Sequence, residues 1–144
     1  MRDVVPVDIK ASIPQDLGFV RAAEAAMHNA PNQAVDALRT EHFLYAGMYV
    51  RTLSVPAGVV FTGAMVNPDT VMIVSGDLSL TCGDGTVKTL MGYNVLRCAG
   101  KRKQLFRTHT DVNITIVYPT KATTTSEGEK EFTDEWMSLI HHED

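Results

Sequence analysis

A chain of 144 residues, 44% hydrophobic and 21% charged, can build one globular core without disulfide staples. Its formal charge of −4 argues against a nucleic-acid binder that relies on overall positive potential. No apolar run is long enough to cross a membrane as a helix, and Asp3 and Pro6 interrupt the opening residues where a signal peptide is continuously apolar.

Residues 1–41 are alanine-rich and read as a helical extension. Pro14 suits the first turn of a helix, and Leu17, Val20, Ala23 and Met27 follow at steps of three and four. Asn29-Ala30-Pro31-Asn32 ends that pattern, and 34–38 reads as a further helical turn. The segment is expected to pack on its own barrel or on a neighbouring subunit.

Residues 42–120 read as a barrel of short strands. The runs 43–49, 51–55, 59–62, 71–74, 78–81, 87–90, 94–97, 103–107 and 113–118 are rich in β-branched and aromatic residues. Turn signals separate them, among them Pro56-Ala57-Gly58, Asn67-Pro68-Asp69, Ser75-Gly76-Asp77, Gly83-Asp84-Gly85 and Ala99-Gly100. That spacing predicts an antiparallel sandwich or barrel, with Asp84-Gly85 as the strongest hairpin signal. Residues 121–144 open with the polar linker Thr123-Thr124-Thr125-Ser126. Ser126 and Glu129 fit a capping box, and Phe132, Trp136, Leu139 and Ile140 recur at helical spacing. The expected element is an amphipathic helix packed across the barrel, with the acids of 127–135 on a solvated face.

Cys82 and Cys98 have no Cys or His neighbour at metal spacing and read as small buried hydrophobes, compatible with a reducing cytoplasm. Of the histidines, His28 marks a helix end and His42 precedes a strand at the barrel mouth. His141 and His142 diverge by about 100° on a helix and make no good chelate. His109 has Asp111 two residues on, so on one strand face the carboxylate would orient the imidazole. The chain lacks a nucleophile elbow, a P-loop and a dinucleotide fingerprint. Lys101-Arg102-Lys103, with Arg97 and Arg107 nearby, is the one concentration of positive charge. Turned inward, Arg97, Lys103 and Arg107 would form an anion pocket for a phosphate or carboxylate; turned outward, they would pair with an acidic neighbour such as another subunit's terminal helix. Arg97, Lys103, Arg107 and His109 are therefore the candidate ligand-binding residues, and no catalytic residue is assigned.

His42-Phe43, Gly47-Met48-Tyr49-Val50-Arg51, Pro56-Ala57-Gly58, Thr62-Gly63 and Ser75-Gly76 come in order, followed by Gly83-Asp84-Gly85, Gly100-Lys101-Arg102 and His109-Thr110-Asp111. This series resembles the cupin superfamily of RmlC-like jelly rolls, most closely small cupin-like proteins of tailed bacteriophages. The resemblance implies a mainly β, cupin-type double-stranded β-helix, with the amino-terminal helical extension and carboxyl-terminal helix added. In that family a functional metal is held by two or three histidines and a carboxylate. Here the first two histidine slots, after Gly58, read Ala64 and Val66; Asp69 lies near the acidic slot and Gly76 closes the motif. Gly92, Cys98, Gly100 and Lys103 take the slots of Gly, Pro, Gly and His in the second motif. A lysine ammonium about 4 Å from a dication is repelled by roughly 8 kcal/mol at an effective dielectric of 20. The expectation is a scaffold with no metal and no cofactor.

The leading functional expectation is a non-enzymatic, self-associating phage protein, either a virion structural component or an accessory factor. Its partners would be copies of itself and other phage structural proteins, in the host cytoplasm or the virion, with no membrane and no nucleic acid. One alternative is a module binding a small anion such as a nucleotide or sugar phosphate. The other is a metal-independent isomerase or epimerase using His109 or His42 as base.

Overall fold

Alternation of apolar and polar residues lays most of the chain into two facing sheets. The computed structural model describes residues 7–28 and 38–135. In chain order these form β1 (Val7–Ile9), α1 (Pro14–His28), β2 (Arg39–Tyr45), β3 (Met48–Val55), β4 (Val60–Thr62) and β5 (Thr70–Ser75). There follow β6 (Leu78–Thr81), β7 (Val87–Leu90), β8 (Tyr93–Cys98), β9 (Leu105–Thr108), β10 (Val112–Pro119) and α2 (Thr125–Phe132). One sheet runs β1-β8-β5-β10-β3-β2 and the other β4-β9-β6-β7. From β3 to β10 the chain crosses between the sheets at every step except the β6–β7 hairpin, a jelly-roll order that matches the mainly β architecture expected from the turn spacing.

The inward positions follow period two. Strand β5 buries Thr70, Met72 and Val74, β6 buries Leu78 and Leu80, and β10 buries Val112, Ile114 and Tyr118. Met72, Val74, Leu78, Leu80, Val112 and Ile114 meet Phe61, Leu96 and Phe106 in one core, while Tyr49, Val66, Tyr118 and Phe132 form a second cluster at one end of the barrel. Cys82 and Cys98 are free and buried, and burial pushes both thiols up.

Four local readings change. The run 43–49 is not one strand: Ala46 and Gly47 both take positive φ (53° and 74°) and turn the β2–β3 hairpin, pairing Tyr45 with Met48. Alanine gives no turn signal, so the sequence hides this corner. The amino-terminal extension is more than helix. Val7–Ile9 joins the larger sheet beside β8, with Ile9 opposite Cys98 and almost fully buried. Helix α1 starts at Pro14 as expected and packs on β4; the further turn expected over 34–38 lies, apart from the buried Leu38, outside the described residues.

The third change is the cap of α2. Thr124, not Ser126, is the N-cap: its hydroxyl accepts from the Glu127 N–H at 3.1 Å, and the Glu127 carboxylate accepts from the Thr123 N–H at 3.1 Å. Trp136, Leu139 and Ile140 lie outside the described residues. The expected solvated acidic face is only partly so, since Glu127 and Glu131 are exposed but Glu129 is fully buried.

Helix α2 sits so close to β3 that a Cβ on Gly128 would lie 2.8 Å or less from two Tyr49 ring carbons. Alanine is intrinsically better in a helix by about 1 kcal/mol. Overpacking here opposes that gain, so Gly128→Ala is expected to lower stability by about 1–2 kcal/mol, read as an earlier midpoint in urea.

Candidate functional site: the barrel interior

Between the sheets lies a cavity of about 170 Å³. Leu53, Phe61, Met72, Phe106, Ile114 and Ile116 give it an apolar body, with Phe61 and Phe106 stacked at 5.0 Å between ring centroids. Thr40, Arg51, Gln104, Glu24 and Glu135 bring polar groups to it.

Arg51 reaches the interior because β3 turns Tyr49, Arg51, Leu53 and Val55 to the same side. Its Nη1 donates to the Glu129 carboxylate at 2.9 Å and to the Tyr49 hydroxyl at 3.0 Å. Glu129 and Tyr49 are fully buried, and His42 Nδ1 lies 3.0 Å from the same hydroxyl and 3.9 Å from the other Glu129 oxygen. Phe132 lies beneath the guanidinium, 5.8 Å from ring centroid to Cζ, and stacks with both Tyr49 and Tyr118. The Tyr118 hydroxyl donates to the Gly128 carbonyl, and burial pushes the Tyr49 and Tyr118 phenols up.

A second polar hub centres on Lys103, only 1% exposed. Its Nζ donates to the Gly63 carbonyl and to the carboxylates of Glu24 and Glu135, each at 2.9 Å. Arg21 adds a looser contact to Glu135 at 3.5 Å. One ammonium thus joins α1, the turn after β4 and the residues following α2. Next to it Arg102 is fully buried, donating to Gln104, Ala99 and Thr70, and burial lowers its pKa.

The candidate ligand residues are not gathered into one pocket. Lys103 alone is interior, held by acids of its own chain rather than of another subunit. Arg97 projects from the outer face of the larger sheet and pairs with Asp8 at 2.8 Å. Arg107 is exposed on the outside of the smaller sheet, where Ser79 is its cross-strand neighbour and also meets His109 Nε2 at 2.8 Å. The anion pocket expected from Arg97, Lys103 and Arg107 is therefore not formed: Arg97 and Arg107 lie on the outer faces of different sheets, and Lys103 turns inward from the segment before β9. Nor does Asp111 orient His109; its carboxylate accepts from the Ala57 N–H at 2.9 Å. Arg51 and Glu129 are the residues that sequence reasoning missed. The signal was present: one charged residue among the inward positions of β3, and one acid three residues before the buried Phe132.

Ala64 and Val66, read from the sequence at the histidine slots of the resembled motif, line the cavity, and neither side chain carries a donor atom. Asp69, near the acidic slot, is exposed and accepts from the Gly100 N–H at 2.7 Å. Among the described residues no three His, Cys, Asp or Glu side chains gather where they would hold a metal ion. The donor chemistry at these slots does not fit a divalent cation.

No family model matches the chain, and no curated protein does. Solved structures similar to it include the Cupin_2 domain of an XRE-family transcriptional regulator from Enterobacter cloacae (17% identity, 58% of this chain and 98% of that one, TM-score 0.46). Others are a cupin superfamily protein from Desulfitobacterium hafniense (12%, 65% and 93%, 0.47) and the ectoine synthase of P. lautus (14%, 66% and 72%, 0.48).

Burial raises the Glu135 carboxyl, but the hydrogen bonds from Lys103 and the Met65 N–H and the nearby charges outweigh it and hold the group below its ordinary 4.5. A depressed carboxyl stabilises the fold above its unfolded value and loses that contribution as pH falls through the folded one. Glu135→Gln is expected to lower the thermal midpoint at pH 7 by a few degrees, as for about 1 kcal/mol, with the gap to wild type closing as pH drops below 4.5. Thermal unfolding across pH 3–7 reads this, and a constant gap would count against the Lys103 hub.

Proposed function

We propose that this chain is a non-enzymatic binding barrel of cupin type that works without a metal and receives a small organic molecule in its interior. The cavity of about 170 Å³ carries this reading. An engineered interior cavity of about 150 Å³ is enough for benzene, so the scale is that of a single small ring rather than a nucleotide or sugar phosphate. The lining residues include no histidine, cysteine or serine, and their two glutamates are both engaged by the Lys103 ammonium, which supports retention of a ligand over acid–base or nucleophilic chemistry. The Ala64 and Val66 side chains add apolar surface at the positions where the resembled family places metal ligands. Ligands of at most about ten non-hydrogen atoms are expected to raise the thermal midpoint. Ala64→Phe, which fills the cavity, should abolish those shifts; ligand shifts that persist in this variant would place binding elsewhere and remove the proposal.

A second reading is self-association, supported by the outer face of the larger sheet. Its three central strands β3, β10 and β5 turn Met48, Val50, Val117, Val71 and Ile73 outward among Thr, Ser, Asn and Pro, with no charged residue. Charge depletion over an apolar centre with charges at the rim (here Arg39 and Glu41 on β2, Arg97 on β8) suits a protein interface. The occupant proposed is a second copy; the resemblance to phage proteins would make the assembly a virion component or accessory factor. Sedimentation should show an oligomer at micromolar concentration that Val71→Glu converts to monomer, and mass spectrometry of purified particles tests the virion half. A wild-type monomer at high micromolar concentration would end this reading.

A further inference from the structure

Resting on the cavity as a binding site, we infer that its ligand is an uncharged ring-sized molecule bearing one hydrogen-bond acceptor, a ketone or ether oxygen, received by Arg51 with Thr40 beside it. Three observations define this chemistry.

The first is the unused donor capacity of Arg51. A guanidinium carries five N–H donors on three nitrogens. Nη1 serves both Glu129 and Tyr49, while Nε and Nη2 have no hydrogen-bond partner among the described residues, and the side chain lines the cavity. Neither nitrogen is among the fully buried atoms lacking a partner, so they reach cavity space instead of being sealed in protein. Thr40 lines the same cavity from the adjacent strand β2, and its hydroxyl too has no partner among the described residues.

The second is charge balance. The charged residues of the lining are Arg51, Glu24 and Glu135. Glu129 opposes Arg51, and Lys103 with Arg21 opposes the two glutamates. A carboxylate entering this space would bring an unmatched negative charge out of water next to Glu129, and an ammonium an unmatched positive one. A neutral acceptor takes the free guanidinium donors without either penalty. Arginine in the site thus points away from an anion, because its counter-charge is already built in.

The third is shape. Apart from the Arg51 and Thr40 wall and the Gln104–Glu24–Glu135 end, where the Thr62 hydroxyl is spent on Glu24, the side chains of the lining are aromatic and aliphatic. The Gln104 amide is spent on the Arg102 guanidinium and the Thr81 carbonyl. A ligand body is therefore apolar, with its polar atom directed to β2 and β3.

The test titrates the full chain with three probes of one ring size: cyclohexanone, methylcyclohexane and cyclohexanecarboxylate. The Met72 methyl signal reports cavity occupancy, and the Arg51 Nε–H signal reports the polar contact. Cyclohexanone should bind about tenfold more tightly than methylcyclohexane, as expected for one hydrogen bond to a charged donor, and move the Arg51 Nε–H signal, while the carboxylate binds most weakly. In Arg51→Met/Glu129→Met, which replaces the ion pair by apolar side chains, the two neutral probes should bind equally. Tightest binding by the carboxylate overturns the inference but leaves the cavity as a site. So does equal binding of the two neutral probes to wild type with the Arg51 signal unmoved. If no probe shifts Met72, the binding-barrel reading falls as well. Should the double variant fail to fold, the wild-type Arg51 signal decides alone.

Discussion

One buried ion pair, Arg51 with Glu129, fixes how the terminal helix closes the barrel. It joins the inner face of β3 to the buried side of α2, with Glu129 fully buried and Arg51 nearly so, where water screens charge only weakly. Such a pair does not make a protein stable by its presence, since the desolvation of two charges roughly cancels their attraction. Its effect is on geometry, because losing either partner strands a charge in the core. With Glu129 held, Phe132 stacks with the tyrosine rings and the Gly128 carbonyl meets Tyr118. The helix is seated by one electrostatic contact and then finished by aromatic packing.

The Lys103 hub plays a parallel part at the other polar end of the cavity. Its single ammonium satisfies two carboxylates and a backbone carbonyl drawn from three separate stretches of chain. Elements outside the minimal barrel, α1 and the residues after α2, become part of the cavity wall through it. The Arg51 and Lys103 cations thus gather the polar groups at two ends of the cavity, while its middle stays apolar.

How far the sequence foretold this differs from element to element. Strands β5, β8 and β9 were legible because their inward residues alternate, and β6 and β7 because Asp84-Gly85 marks the turn between them. The Ala46-Gly47 corner was hidden since alanine adopts positive φ only when tertiary pairing imposes it. Strand β1 was hidden for a different reason: three residues carry too little pattern, and its partner β8 is remote in sequence. The candidate site failed where charge was read without direction. Arg97, Lys103 and Arg107 look like a cluster along the chain, but two of them sit on the outer faces of opposite sheets and the third turns inward ahead of β9. Arg51 and Glu129 were obscured by the ordinary presumption that charged residues face water.

The pairing of Val7–Ile9 with Leu96–Cys98 is parallel, whereas the other strand pairs among the described residues are antiparallel. On a ribosome the first of these segments emerges long before the second exists. The early strand must wait, unzipped, while nearly all of the jelly roll is made and β8 takes its place against β5. Closure of that seam cannot precede the synthesis of β8, and until β1 docks the β8 margin is an unpaired edge of the kind that invites strand addition.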